Sequence, residues 1–289
     1  MGNQYDPKVL RKLQLAQCVI LEDFMKICEE NKLDYFIFAG CAIGVERHQG
    51  FIPWDDDIDI GMLRKDYEKF IDIAKKEYSD KYQILEISED DRFPFLNAEF
   101  KRKGTRNVPE IFKTSDVDMG IDVAIYPFDN VCDDMVKRKR QLRSVFFWHK
   151  IKILREFGHP VLFIKGWKRN VVSAICIVTH GVLKALHISH KFINKRYMKS
   201  ATKYNDGQTE WVSCFFGTTP MENSMKRSEI FPLTKKKFEY LMVNVPGKNH
   251  DCLTRKFGDY MQIPPKEKQK NHVPYILEFG EFENIKIDM

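Results

Sequence analysis

An acidic run in the first quarter of the chain constrains its fold and chemistry more than any other feature. Between Trp54 and Gly61, four aspartates occupy five positions beside two isoleucines. In an extended strand successive side chains point to opposite faces, so Asp57 and Asp59 project together while the isoleucines enter the core. Two ionised carboxylates this close repel unless a cation such as Mg²⁺ or Mn²⁺ compensates them. A solvated acidic turn is the alternative, but aspartate disfavours strands and here lies within an apolar alternation, which favours a metal site.

The residues before the acidic run predict a phosphate site. Tyr35–Ala39 is apolar and predicts a strand, and Gly40 then opens a short helix that ends near His48. The start of a helix presents free backbone amides, which are a natural seat for phosphate. The sequence therefore places a phosphate site and a metal site side by side.

The order of these elements is that of the nucleotidyltransferase superfamily. The stretch from Gly40 to Tyr67 resembles the LicD family of phosphotransferases, whose bacterial members include phosphocholine transferases; fukutin and the fukutin-related protein are more distant relatives. Gly120–Asp129 is similar to the family's second acidic strand, and Lys256–Pro265, followed by His272, is similar to its closing segment. The resemblance covers most of the chain, although the middle third is recognisable only as a basic helical insertion.

The resemblance implies an α+β fold, with a nucleotidyltransferase-like mixed β-sheet flanked by helices. It implies that Asp57, Asp59 and Asp122 are the catalytic carboxylates and bind Mg²⁺ or Mn²⁺. It implies CDP-choline as the donor and a sugar hydroxyl of a cell-surface glycan, or of its lipid-linked precursor, as the acceptor. The residues predicted to bind the nucleotide or substrate are Gly40, Cys41, Gly44, Arg47, His48, Trp54, Lys101 and His272.

Several of these residues also have a purely structural interpretation. Cys41 stands where the superfamily usually carries Ser or Thr, and because a thiol binds phosphate poorly, the backbone amides would take over that task. Lys101 ends a predicted strand and is either a phosphate ligand or a solvated base. Trp54 fits the core as well as a ligand site, and His272 is a lone histidine near the C-terminus. The aromatic residues available to enclose a choline cation are Trp54, Tyr126, Phe128, Trp211 and Tyr260.

Other functions compete with phosphocholine transfer. The Asp57-Ile-Asp59 pattern also suits a glycosyltransferase, but there it normally follows a complete nucleotide-binding half, and only 56 residues precede Asp57. A calcium-binding loop starting at Asp55 fails because its sixth position is Ile60 and its twelfth is Asp66, where glycine and glutamate are expected. Glycerol phosphate and ribitol phosphate remain open as alternatives to phosphocholine.

Composition and cysteine usage are those of an intracellular enzyme. The chain has 289 residues and 43% hydrophobic content, enough for one large core or two modest ones. Its seven cysteines are scattered and several have apolar neighbours, so they are interpreted as reduced core residues. The N-terminus lacks an apolar signal core. We therefore expect a cytoplasmic protein.

The middle of the chain is strongly basic. Met135–Lys203 contains seventeen Lys or Arg against one acid, Glu156, in a chain whose net charge is +6. Such separation indicates a surface for an anionic partner. The segment predicts a pair of basic amphipathic helices. Their apolar runs are too short to span a bilayer, but the helices could lie on the inner face of an anionic membrane. A helical hairpin packed on the catalytic core is the alternative, and nucleic acid is excluded as a partner because no binding motif accompanies the charge.

The predicted domain organisation has three parts: a catalytic core at 1–132, a basic helical insertion at 133–204 and a C-terminal segment at 205–289 that completes the catalytic fold. Hydrophobic periodicity predicts helices over Pro7–Asn31 and Lys65–Tyr78. The insertion is predicted to be mostly helical, with a break near Gly158–Pro160. Strands are predicted near 35–39, 57–62, 82–87, 97–102 and 120–126.

Overall fold

The structure is a computed structural model that describes residues 4–160, 162, 164–215 and 223–286. Its helices are α1 (Pro7–Asn31), α2 (Ala39–His48), α3 (Arg64–Glu77), α4 (Met135–Glu156), α5 (Trp167–Ala185), α6 (His190–Ala201), α7 (Arg227–Ile230) and α8 (Asn249–Phe257). Its strands are β1 (Phe36–Ile37), β2 (Asp59–Leu63), β3 (Tyr82–Leu85), β4 (Ala98–Arg102), β5 (Arg106–Val108), β6 (Asp122–Asn130), β7 (Trp211–Ser213), β8 (Ser224–Lys226), β9 (Thr234–Phe238), β10 (Leu241–Val245) and β11 (Ile276–Glu278).

A mixed sheet forms the centre of the molecule, with the strand order β1-β2-β6-β4-β3. The β2–β6 pair is parallel, whereas β1, β3 and β4 join it by antiparallel pairing. The far end of β6 also pairs with β7, which pairs with β8. The predicted α+β fold with a mixed sheet and flanking helices is therefore confirmed.

Helix α1 has the predicted bounds because both of its ends carry strong signals. Asp6 caps the first turn by accepting a hydrogen bond of 2.8 Å from the backbone amide of Lys8, and Pro7 occupies the first helical position. At the other end Lys32 adopts a left-handed conformation, with φ of 54°. The buried apolar stripe of α1, which includes Leu13 and Phe24, packs into the main core beside the sheet.

The two faces of the sheet differ in chemistry. Ile60 on β2, Ile125 on β6 and Phe100 on β4 are fully buried and pack in the core with α1 and α3. Side chains one position away point to the opposite face. That second face carries the aspartates. The aspartates and isoleucines of the acidic run therefore lie on opposite faces of the sheet, as the sequence predicted.

The strands differ in length from the sequence prediction. β2 begins at Asp59 instead of Asp57, although the Ile58 carbonyl already accepts a hydrogen bond of 2.9 Å from the Ala124 amide. β1 ends early because Ala39 turns the chain with a positive φ of 53° and starts α2. β6 runs to Asn130, four residues beyond the predicted end, because its second half pairs with β7.

The basic segment forms three helices, α4, α5 and α6. The chain leaves α4 before Gly158, as predicted, and breaks again before α6, where Ser189 accepts a hydrogen bond of 3.1 Å from the amide of Phe192. Within the described residues, no single helix is long and apolar enough to cross a membrane. Helices α5 and α6 pass that length and composition test only as a pair, and they are bent by 113° at their break.

The C-terminal part returns to the core twice. β9 and β10 form an antiparallel hairpin whose residues Phe238 and Val243 join the main core. β11 pairs antiparallel with β5, and this brings the chain end to the same side of the molecule as the acidic run. The three-part division of the chain stays a prediction.

Candidate active site

The parallel pairing of β2 and β6 brings the predicted carboxylates together. Asp59 lies opposite Ala124 in this register, so Asp57 is level with Asp122 two residues earlier. All three aspartates project from the face of the sheet opposite to the isoleucine core. The structure thus places Asp57, Asp59 and Asp122 in one wall of a cleft of about 300 Å³.

The three carboxylates carry more negative charge than their surroundings balance. Burial raises the pKa of Asp122 to about 7, and the charge of Asp57 adds to this effect. Burial followed by the charge of Asp56 raises the pKa of Asp57 to about 6, although this side chain remains accessible from the cleft. Burial and then Asp57 raise the pKa of Asp59 well above its ordinary value. Such a group favours a bound cation, as the sequence predicts.

Two glutamines of α1 hold the acidic run in place. Gln14 Nε2 donates a hydrogen bond of 2.9 Å to the carbonyl of Asp55. Gln17 Nε2 donates to the carbonyls of Asp56 at 3.1 Å and Asp122 at 3.4 Å, so one side chain joins both acidic strands. Sequence analysis missed these residues. The available signal was a pair of polar residues, three positions apart, within the buried stripe of a helix.

Gly40 and Cys41 lie against the acidic run, as their predicted roles require. The Cys41 thiol donates a hydrogen bond of 3.2 Å to the Asp57 carbonyl, and its sulfur accepts one of 3.3 Å from the Asp59 amide. A Cβ at Gly40 would lie 3.0 Å from Asp55 Oδ2, a buried oxygen without a hydrogen-bond partner in the part of the chain that the structure describes. The glycine therefore makes room for this carboxylate.

Ligand atoms of Cys41, Asp55 and Asp57 come within 4.8 Å of one another. Burial raises the pKa of the Cys41 thiol well above its ordinary value, so the sulfur stays protonated and is a poor ligand. Mg²⁺ prefers carboxylate oxygen. Asp55, whose pKa burial and Asp57 raise to about 8, is thus a further candidate near the metal site.

Gly44, Arg47, His48 and Trp54 lie outside the lining of this cleft. Gly44 serves packing, because a Cβ there would lie 2.4 Å from the Gly50 carbonyl oxygen. Arg47 donates hydrogen bonds to backbone carbonyls of the C-terminal part, and its guanidinium lies 5.9 Å from the centre of the Trp54 ring. Burial lowers the pKa of His48, with Arg47 as a second cause. Their predicted contacts with the nucleotide stay predictions.

His272 lines the cleft, whereas Lys101 lies outside its lining. Lys101 pairs with Asp122 across the sheet but is buried, and its ammonium donates hydrogen bonds of 2.9 and 2.5 Å to the carbonyl and carboxylate of Asp118. His272 lines the cleft, and its backbone amide donates a hydrogen bond of 2.7 Å to Asp56 Oδ2. The side-chain hydrogen bond to Asp56 raises the pKa of the His272 imidazole.

Sequence analysis also missed polar residues beside the aspartates on the same face of the sheet. Glu99 on β4 and Asn97, just before this strand, share one face and both line the cleft. This polar alternation was the signal that could have revealed them. Of the aromatic residues named as choline candidates, Tyr126 lines the cleft, where its hydroxyl hydrogen-bonds Asp59. The other aromatic residues in the lining are Tyr5, Phe95 and Phe112.

Comparison with known proteins identifies a family model and one relative that spans most of the chain. Residues 32–165 match the family model described as LicD/FKTN/FKRP, nucleotidyltransferase domain. The lipopolysaccharide cholinephosphotransferase LicD of Haemophilus influenzae is 29% identical over 271 residues, which span 91% of this chain and 95% of that protein. A LicD-type domain therefore lies within residues 32–165. This match confirms the resemblance drawn from the motifs, and the similarity to the Haemophilus transferase over nearly the whole chain indicates an enzyme.

Two shorter matches were found in Rickettsia. Uncharacterised proteins of Rickettsia typhi and Rickettsia prowazekii are each 36% identical over 59 residues, which is 20% of this chain. The family model includes all three aspartates and ends within the basic segment, whereas the match to the Haemophilus protein extends over nearly the whole chain.

Proposed function

We propose that this protein is a metal-dependent phosphotransferase that moves phosphocholine from CDP-choline to a sugar hydroxyl of a cell-surface glycan or its lipid-linked precursor. The observation that carries the proposal is the juxtaposition of Asp57, Asp59 and Asp122 in one cleft of a chain that carries a LicD-type domain. The similarity to a lipopolysaccharide cholinephosphotransferase supports the choice of phosphocholine and of a glycan acceptor. The arrangement of the aspartates on adjacent strands supports a nucleotidyltransferase-like core.

The residues present suit a divalent metal ion. Asp57, Asp59 and Asp122 would hold Mg²⁺ or Mn²⁺, and Asp55 has a buried oxygen without a partner in the described part of the chain. Burial and neighbouring carboxylates raise the pKa values of Asp57 and Asp122, which supports a bound cation as their partner. The bound ion would neutralise charge on the diphosphate of the donor and stabilise the leaving nucleoside monophosphate.

The protein's own groups would orient the reaction. Gln17 fixes the two acidic strands relative to each other, and this holds the carboxylates in one geometry. Asp122 lies beside Asp57 on the neighbouring strand, so it would help to orient the acceptor hydroxyl or accept its proton. Backbone amides at the start of α2, beside Gly40, are available to phosphate. The phosphoryl group would then pass from CMP to the sugar oxygen, and CMP would leave.

The proposal is tested by donor hydrolysis and transfer with purified protein. CDP-choline, CDP-glycerol and UDP-glucose are offered separately with a lipopolysaccharide acceptor, in Mg²⁺ or in EDTA, and the released nucleotide is measured. We expect Mg²⁺-dependent CMP from CDP-choline and a loss of more than roughly a hundredfold in Asp59→Asn. Release of UDP or UMP without CMP would contradict the donor assignment and favour a glycosyltransferase. CMP from CDP-glycerol alone would change only the alcohol.

We also propose that the protein works on the inner face of an anionic cell membrane, where a lipid-linked acceptor would be found. Helix α5 packs on α4 by one face, where Cys176 is buried and His180 Nδ1 lies 2.8 Å from the Leu154 carbonyl oxygen. The opposite face is an exposed apolar stripe at helical spacing. Its members are Trp167, Val171, Ile175, Val178 and Val182.

Charge and amphipathicity favour a lipid surface as the partner of α5. Trp167 is 72% exposed and Val178 is 64% exposed, and the surrounding segment carries seventeen basic residues against one acidic residue. An apolar stripe with a basic rim is typical of helices that lie in the membrane interface. Each basic residue near an anionic surface contributes about 1 kcal/mol, so several suffice for reversible binding.

Liposome co-sedimentation tests this attachment. We expect binding to vesicles that contain phosphatidylglycerol, weaker binding in high salt because the Debye length shortens, and little binding to neutral vesicles. Trp167→Ser with Val178→Ser should reduce binding without loss of CMP release from a soluble acceptor, because both side chains are exposed. Equal binding to anionic and neutral vesicles at low salt would contradict this proposal and show that the segment is only a helical insertion packed on the core.

A further inference from the structure

Glu99 is an ionisable group in the cleft whose role the metal site does not explain. It lies on β4, its side chain is only 7% exposed, and it lines the same cavity as the three aspartates. Its Oε2 atom is buried and has no hydrogen-bond partner within the described residues. A buried, unpaired carboxylate is costly for a protein to maintain, so a ligand that compensates it is expected.

The position of Glu99 sets it apart from Asp57 and Asp59, although Asp122 lies on the strand beside it. Asp57 and Asp59 belong to β2 and its approach, Asp122 belongs to the neighbouring β6, and Glu99 stands on β4 at the far side of β6. In register, Glu99 lies opposite Ala124, which in turn lies opposite Asp59. Because adjacent strands are about 4.8 Å apart, Glu99 stands about two strand spacings from the Asp59 side of the site.

The cleft around Glu99 is largely apolar and aromatic. Phe95 and Phe112 line it with their ring centroids 6.3 Å apart in an edge-on arrangement, and Ile111 and Met119 add apolar surface. Amide side chains enter only at Asn97 and Asn107 in this part of the lining. Such walls offer aromatic faces and a thioether to a ligand, but few hydrogen-bonding groups.

We propose that Glu99, Phe95 and Phe112 form the subsite for the quaternary ammonium of the transferred alcohol; this inference rests on the proposed phosphotransferase function. A quaternary ammonium donates no conventional hydrogen bonds, and it is recognised by aromatic faces and by a nearby carboxylate. With the phosphate at the aspartates, the short ethylene bridge of choline lets the nitrogen reach about one strand spacing, so a nitrogen directed towards β4 would lie between Asp59 and Glu99. A polyol such as glycerol or ribitol would leave its hydroxyls facing apolar walls, which is unfavourable.

The subsite is tested by donor preference in Glu99→Gln and Phe95→Leu. Glu99→Gln keeps the shape of the side chain and removes its charge, so the cleft should remain folded. We expect kcat/KM for CDP-choline to fall roughly tenfold or more in each variant, as loss of a desolvated cation contact implies, while kcat/KM for CDP-glycerol stays within about twofold. The affinity for phosphocholine, measured by calorimetric titration, should fall by a similar factor.

Glu110→Gln is the matched control. It makes the same chemical change two residues from Phe112, but the Glu110 side chain is 66% exposed and pairs with Lys113. We expect it to behave as the unmodified protein. An equal loss of both donors in Glu99→Gln would overturn the subsite and make Glu99 part of the metal site. Unchanged preference for CDP-choline in Glu99→Gln would also overturn it. Absence of CMP release from any CDP-alcohol by the unmodified protein would instead overturn the proposed function.

Discussion

Replacing Asp122 by asparagine should stabilise the metal-free protein at alkaline pH, although it should abolish activity. The folded-state pKa of Asp122 is raised from an ordinary value of 3.8 to about 7 by burial and by the charge of Asp57. A carboxyl with a raised pKa is easier to ionise in the unfolded chain. Below about pH 4 the carboxyl is neutral in both states, and the free energy of unfolding is at its full value. As the pH rises towards 7, ionisation in the unfolded chain lowers the free energy of unfolding.

The size of this effect follows from the same two values. A rise in the pKa of Asp122 from 3.8 to about 7 corresponds to about 4 kcal/mol of unfolding free energy, at 1.36 kcal/mol for each pKa unit. Asp122 is partly open to the cleft and shares the repulsion with Asp57, so we expect about half of this, roughly 2 kcal/mol, at pH 8. For a chain of this size that corresponds to an increase in Tm of about 5 °C.

Thermal unfolding in EDTA between pH 4 and pH 8 measures this prediction. The Tm difference between Asp122→Asn and the unmodified protein should be near zero at pH 4 and grow as the pH rises. Mg²⁺ should raise the Tm of the unmodified protein at pH 8 and leave that of the variant nearly unchanged. Asp72→Asn, on the exposed side of α3, is the control and should show no such pH trend. A variant that is less stable than the unmodified protein at pH 8 in EDTA would refute the electrostatic account.

Two further predictions concern residues that support the site. Gly44→Ala should destabilise the fold by about 1 to 3 kcal/mol in chemical denaturation, because its Cβ would meet the Gly50 carbonyl oxygen at 2.4 Å; unchanged stability would show that the loop yields without cost. His272→Gln should cost less than about 1 kcal/mol, since the imidazole is 82% exposed. Its raised pKa means that the cost should be largest below pH 6.5 and vanish as the pH rises, and a loss that grows with pH would contradict the contact with Asp56.

The sequence predicted the site best where its signal was local. The alternation of aspartate and isoleucine fixes which face of a strand each side chain occupies, and the strand–helix order identified the neighbouring Gly40 and Cys41. The bounds of α1 were predictable because Asp6 and Pro7 mark its start. That Asp122 would lie level with Asp57 was an implication of the family resemblance, and the register of β2 and β6 agrees with it.

Contacts between distant segments could not be predicted in the same way. The role of Gln17 depends on where α1 crosses two strands that lie 39 and 105 residues away in sequence. The ammonium of Lys101 turns to Asp118, a contact that strand periodicity does not reveal. The polar alternation around Glu99 marks one face of a strand, but that this face lines the cleft follows only from the pairing of β4 with β6. Tertiary pairing, not local propensity, decides these positions.

The central claim is tested most directly by identifying which phosphorus is transferred. The purified protein is incubated with Mg²⁺, a lipopolysaccharide acceptor and CDP-choline that carries an isotopic label in the choline-bound phosphate only. Phosphorus NMR and mass spectrometry then follow the label. We predict that the labelled phosphate joins the sugar together with choline, with one CMP released for each phosphocholine gained. Transfer of the unlabelled phosphate with cytidine, accompanied by free phosphocholine, would show nucleotidyl transfer and contradict the account.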